Sequence, residues 1–434
     1  MNFPEFTRAC ATAIAVALAG PAFPQPVGAP EPLSLESADA LLVQNNREIA
    51  LARRALEQSQ ADVLTAGQRP NPQLSLAIQN INPNRGFGNG NLRGKTVDSI
   101  VRIDQLVERG GKAELRVDAA RRAESAAGED VDEVTRQQRL ALRYTYFDLL
   151  AGQERAAGAA EAAELFMRTV AAAQLRLKAG DLAAADVARV RVDALRSEND
   201  ARAAQSEVAR LRSALGYLVG APAGRVFAGF SPWPATSGSD APLAREEEIE
   251  ARADVRAARA RVELADKARE IARALQTRDV SVGAQYEHWP NRADANNQGT
   301  GSSFGVAVSV PQFLRHRYEG EIARAQADWY AARDALEQVR AQARAEMLRV
   351  AGDLAAARER LVRFEKELLP EAIRAQTAAE FAFRNGAIGV MDLLDARRVL
   401  RSIQSDIASA RADHAKALAT YELGRGVVKP RADQ

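Results

Sequence analysis

The 434-residue chain repeats itself, and that duplication limits its fold to architectures built from two copies of one unit. Lys178-Ala-Gly-Asp-Leu-Ala-Ala-Ala-Asp186-Val recurs as Arg384-Asn-Gly386-Ala-Ile-Gly-Val-Met-Asp392-Leu, a separation of 206 (392 − 186 = 206). The same separation joins Glu48-Ile49 to Asp254-Val255, Leu74 and Leu76 to Val280 and Val282, and Leu218-Val-Gly220 to Gly424-Arg-Gly426. Near the middle it drifts to 207, where Gln105-Leu106 meets Gln312-Phe313. The expected units are residues 23–220 and 246–426, with a Pro-, Gly- and Ser-containing linker over 221–245 and a tail over 427–434.

Each unit reads as a helix, two strands, then a long helical hairpin. Ser37 to Gly67 and Glu246 to Gln276 carry Ala, Leu and Ile at helical spacing, which predicts one helix each. The period then becomes two: Leu74, Leu76 and Ile78 alternate with polar or small residues, as do Val280, Val282, Ala284 and Tyr286, and Phe304, Val306, Val308 and Val310. Strands are expected at about 72–82, 96–106, 279–288 and 303–311, close to the roughly 9–11 residues of a tilted membrane strand. Four strands cannot close a barrel, and lipid cannot satisfy open sheet edges, so a spanning sheet has to be shared among several chains. A hairpin packed on its own helices is the alternative for the same pattern. The Asn- and Gly-rich joins Asn82 to Lys95 and Glu287 to Ser302 are long for tight turns and favour barrel loops.

Helices from about Lys112 to Lys178 and Glu319 to Phe383 would each extend on the order of 100 Å at 1.5 Å per residue. In the second, Val350, Leu354, Ala357, Leu361, Phe364 and Leu368 step by four and three, the seam of a coiled coil. Upstream, Leu336, Val339, Ala343, Met347 and Val350 contain a stutter, and Pro370 is expected to kink the helix. Ala179-Gly180 and Asn385-Gly386 stop these helices, and a return helix follows each.

Composition excludes several function classes. Lys+Arg 59 against Asp+Glu 57 leaves +2, so no basic excess exists to neutralise nucleic acid. One Cys (Cys10) and three separated His (His288, His316, His414) give neither a disulfide nor a zinc spacing. Gly110-Gly111-Lys112 lacks the remainder of a phosphate loop, and no nucleophile elbow is present, so neither an enzyme nor a cofactor is expected. Arg8, the apolar run Ala9 to Ala19 and the prolines after it predict a secretory signal over 1–22, too short to span as an anchor. Cys10 precedes that run and is not placed as a lipoprotein acceptor.

The hairpin turns carry the candidate site. Asp392 and Asp395 are three apart at the start of a return helix and share one face, with Asp186 duplicating Asp392. The helix dipole alone would favour Asp there; brought together around an axis, the same residues would form a carboxylate ring that attracts cations.

The duplicated plan, the strand pairs between helices and the turn Gly386-Ala-Ile-Gly-Val-Met-Asp392-Leu-Leu-Asp395 resemble the outer membrane efflux protein family, whose archetype is TolC. The resemblance implies a mainly α fold with a small membrane β portion: a homotrimer whose four strands per chain form a shared 12-stranded β-barrel in outer-membrane lipid, continued by an α-barrel of long hairpins through the periplasm. It further implies an acidic gate at Asp392, Asp395 and Asp186, tip turns at Gly180, Asp181 and Gly386 that meet a periplasmic adaptor, and an inner-membrane pump of the RND type. Gln105-Leu-Val-Glu-Arg-Gly-Gly-Lys112 is similar to the corresponding turn in heavy-metal cation efflux components of the CzcC type, although Ala113 replaces a basic residue common there. The resulting expectation is a passive exit duct for heavy-metal cations. A drug efflux or type I secretion channel of the same fold, or a non-membrane periplasmic coiled-coil adaptor or scaffold, are the alternatives.

Overall fold

The computed structural model describes residues 30–79, 81, 97–222, 225, 227–236, 244–289 and 301–425. The expected secretory signal (1–22), most of both strand-joining loops and the tail (427–434) lie outside the described residues.

Four strands, β2 (Gln73–Gln79), β3 (Asp98–Val107), β5 (Val280–Trp289) and β6 (Gly301–Ser309), form one antiparallel sheet in the order β2-β3-β5-β6. The central β3–β5 pair joins the two repeats, and β2 and β6 are left as edges. Register places Leu76, Val101, Tyr286 and Phe304 in one cross-strand row, and Leu74, Ile103, Ala284 and Val306 in the next. This apolar face is bare: Phe304 is 85% exposed, Val306 79% and Leu76 74%. The opposite face carries Ser75, Arg102, Gln285 and Gly305, with Arg102 Nε donating to Asp104 Oδ2 at 2.7 Å. A soluble sheet buries its apolar face; here the polar face is the sheltered one, the polarity of a membrane barrel wall. The hairpin-on-helix alternative is therefore not what forms.

Below the sheet run α3 (Lys112–Lys178) with its return α4 (Ala184–Leu218), and α7 (Glu319–Arg363) with α8 (Leu369–Arg384) and the return α9 (Val390–Gly424). Gly111 and Tyr318 cap the starts of α3 and α7 in the left-handed region, at φ 68° and 65°. They are 207 apart, the drifted register of the sequence. Pro370 does not end the helix. A π-helical turn at Phe364–Leu368 precedes it, with Leu369 N–H reaching back to Phe364 O. The wider turn absorbs the missing proline donor and rotates the seam, so Val350, Leu354 and Leu361 are buried whereas Leu368 is 40% exposed.

The two predicted amino-terminal helices are each broken once. α1 (Leu35–Asn45) and α2 (Arg47–Gly67) separate at Asn46, and α5 (Glu246–Glu250) and α6 (Ala253–Ala274) separate just before Ala253, with Arg252 as the α6 cap. The stretch expected as linker contains β4 (Phe227–Gly229), paired parallel with β1 (Glu31–Leu33), because Phe227 buries itself against the helices. Three apolar clusters hold the helices together. Leu42, Leu142, Tyr146, Leu215 and Phe227 tie α1, α3 and α4; Val255, Met347, Val350 and Tyr421 tie α6, α7 and α9; Phe166, Val190 and Leu394 tie α3, α4 and α9 towards the hairpin tips.

Candidate gate and tip turns

Both hairpins turn by the same backbone device. Gly180 N–H donates to Leu177 O at 3.1 Å and Asp181 N–H to Arg176 O at 2.9 Å; Gly386 N–H donates to Phe383 O at 3.0 Å and Ala387 N–H to Ala382 O at 2.8 Å. These paired bonds require a left-handed residue, supplied by Gly180 (φ 81°) and Gly386 (φ 72°). An added Cβ at either glycine meets nothing within 4 Å, so the backbone angle alone selects glycine and the surrounding surface is open. Asp181 is exposed beside the first turn.

The aspartates differ in their local roles. Asp392 Oδ2 accepts from Gly389 N–H at 3.1 Å, closing the start of α9. Asp395 is exposed and pairs with Arg398 one turn on, while Leu393 and Leu394 between the two aspartates are buried. Asp186, in the first turn of α4, lies 3.9 Å from Arg189. A set of arginines that the sequence reading did not single out stitches the hairpins together. Arg398 also donates to Asp193 of α4 at 3.2 Å, Arg401 to Ser197 of α4 at 3.1 Å, and Arg397 to Glu380 of α8 at 2.8 Å. A cavity of about 740 Å³ lies among them, lined by Phe166, Asp193, Ser197, Arg397, Arg398 and Arg401. The available sequence signal was the helical spacing of Arg397, Arg398 and Arg401 just past the aspartates.

Among the described residues no group of three or more His, Cys, Asp or Glu could hold a metal ion, and no helix is long and apolar enough to cross a membrane. The sheet is the element suited to lipid.

A bare apolar sheet with two open edges, continued by two helical hairpins of about 100 Å, defines a channel-forming protein of the helical-duct class. Residues 244–422, the second repeat, match the outer membrane efflux protein family. Over 382 residues the chain is 27% identical to the cobalt-zinc-cadmium resistance protein CzcC of Cupriavidus metallidurans, spanning 88% of this chain and 86% of that protein. Its fold is similar to the outer membrane protein VceC of Vibrio cholerae (TM-score 0.71, 20% identity, 90% of this chain and 96% of that one). It is also similar to the CmeC outer membrane channel of Campylobacter jejuni (TM-score 0.75, 15% identity, 92% of this chain and 87% of that one). The family's pattern therefore covers the second repeat, and the chain as a whole shares the fold of these outer membrane proteins. VceC and CmeC are by name outer membrane proteins, and CzcC is by name a metal resistance protein.

Proposed function

We propose that this protein is the passive exit duct of a tripartite assembly that expels heavy-metal cations. The observation that carries the duct is the sheet: an exposed apolar face, a sheltered polar face and unpaired edges at β2 and β6. Three chains pairing edge to edge would close twelve strands, and their hairpins would continue the bore as an α-barrel. The metal assignment is supported by the similarity to CzcC, whose name records cobalt, zinc and cadmium resistance.

In this reading Asp392, Asp395 and Asp186 line the inner mouth, and Gly180, Asp181 and Gly386 meet a periplasmic adaptor coupled to an inner-membrane pump of the RND type. The duct needs no resident metal, since the ion is cargo. Deleting the gene in its own host and growing the strain on zinc, cobalt, cadmium, copper and common drugs tests the cargo. Sensitivity to the divalent metals is expected, whereas sensitivity to drugs alone would replace the metal assignment with drug efflux.

A further inference from the structure

We propose that the helix-side rim of the sheet is a docking collar for the anionic headgroups of the periplasmic leaflet of the outer membrane. The inference rests on the outer-membrane reading and adds a lipid partner to it.

Every strand carries an exposed arginine near its helix-side end. Arg69 precedes β2, Arg109 follows β3, Arg278 precedes β5, and Arg315 and Arg317 follow β6. None of these five side chains forms an ion pair with a carboxylate among the described residues. Their neighbours behave differently: Lys112 Nζ lies 2.9 Å from Asp279 Oδ1, and Glu108 holds Arg116. The local acids are thus engaged while the rim arginines are left over. Arg278 instead lies over the Phe313 ring at 5.4 Å and donates to Gln312 Oε1 at 3.1 Å.

The segment between β6 and α7 adds an apolar wedge. Leu314 is 83% exposed and sits between Phe313 and Arg315, and the Tyr318 ring closes edge-on against Phe313 at 5.3 Å. An exposed leucine stands here beside guanidinium groups that no carboxylate among the described residues neutralises. It suits the boundary of a bilayer, where the leucine enters the acyl region and arginine forks meet phosphate. The collar is continuous with the bare apolar face of Leu74, Ile103 and Val306, which fixes its depth at the membrane surface. Charge and position together select a bilayer surface carrying anionic headgroups.

The test uses the full chain purified in detergent and reconstituted in nanodiscs of phosphatidylcholine alone or with phosphatidylglycerol, with retained lipid counted by native mass spectrometry after detergent exchange. The wild-type protein should retain phosphatidylglycerol preferentially. The double variant Arg315→Gln/Arg317→Gln should lose roughly twenty-five-fold of that preference, each surface arginine contributing about fivefold. Arg315→Lys/Arg317→Lys should keep most of it, and Leu314→Ser should weaken retention of both lipids. Equal retention of the two lipids by the wild-type protein, or an unchanged preference in the Gln variant, would overturn the collar. Fractionation separates this failure from that of the underlying reading: a protein still found in the outer membrane without lipid preference sinks only the collar, whereas recovery in the soluble periplasm sinks both.

Discussion

Asn46 and Arg252, 206 residues apart, occupy equivalent breaks in the two repeats and fasten each repeat to its own end. Asn46 Nδ2 donates to Leu218 O at 2.9 Å, and Arg252 Nη1 donates to Gly424 O at 3.3 Å. Leu218 and Gly424 are themselves equivalent positions, so one topological lock survives in both copies with different side chains. Asn46 also caps α2, its Oδ1 accepting from Glu48 N–H at 2.9 Å and Ile49 N–H at 3.1 Å. Arg252 is held instead by carboxylates, Asp254 at 2.8 Å and Glu346 at 2.8 Å.

The two locks should fail unequally. Asn46→Ala removes a cap and a buried hydrogen bond, about 2 kcal/mol. Arg252→Met strands two carboxylates beside a buried site, which costs about 3 kcal/mol or more because the remaining charges lose their partner. Thermal unfolding of the detergent-purified protein should therefore show the larger fall for Arg252→Met. Equal shifts would mean that the ion pairs add nothing beyond the carbonyl contact.

Acid should act on the helical body in two separate windows. His414 is 3% exposed, and burial, reinforced by the charge of Arg358, lowers its pKa below the usual 6.5. Above 6.5 the ring is neutral folded or unfolded; below it the unfolded chain binds the proton more readily, so stability declines as pH falls. For Asp254, burial raises the pKa but the hydrogen bonds and charge of Arg252 outweigh it, and the net shift is below 3.8. Its contribution is complete above 3.8 and is lost as pH falls through the lower folded value. His414→Phe should flatten the Tm profile just below pH 6.5 and leave the steep acid limb intact. An unaltered profile in that first window would assign the loss to other groups.

The tip turns separate backbone demand from surface contact. Gly180 and Gly386 need positive φ yet face open space, so Gly386→Ala should destabilise the turn by about 1–2 kcal/mol while leaving room for its side chain. Ala387 lies beside it in ordinary geometry, and Ala387→Trp changes only the surface. If the tips meet an adaptor, Ala387→Trp should abolish metal resistance in the host at normal protein level. Retained resistance would place the adaptor contact elsewhere.

The repeat, the long helices and the strand alternation were legible because each is a local period copied along the chain. The breaks at Asn46 and Arg252 were not, because nothing near Arg252 marks a helix stop. Its conformation is set by Gly424 O, 172 positions away, and by Glu346 on a neighbouring helix. Phe227 likewise looked like linker because only its burial against the first repeat makes β4 a strand. Tyr318 gave no sign of a left-handed backbone; its counterpart Gly111 did, but the register there had slipped by one. At the candidate gate, the spacing of Asp392 and Asp395 could be read directly, whereas the tie of Arg398 to Asp193 depends on the packing of α9 beside α4.

The proposed gate is best tested without disturbing the helix that would carry it. Asp392 carries a local duty, since its Oδ2 accepts from Gly389 N–H at 3.1 Å. Alanine there would loosen the start of α9 by about 1 kcal/mol and mix folding with conduction. Asparagine keeps an acceptor and removes the charge, so Asp392→Asn/Asp395→Asn is the informative pair. Three-fold repetition would remove six carboxylates from one constriction, where like charges in a confined space interact more strongly than on an open surface. Releasing Asp395 also leaves Arg398 to Asp193 alone, which tightens rather than breaks the tie between hairpins. The expected outcome in a planar bilayer is lower cation selectivity and weaker block by divalent and trivalent cations, with the oligomeric mass in detergent the same as that of the wild type. Selectivity and block identical to wild type would reduce both residues to helix-start aspartates facing solvent.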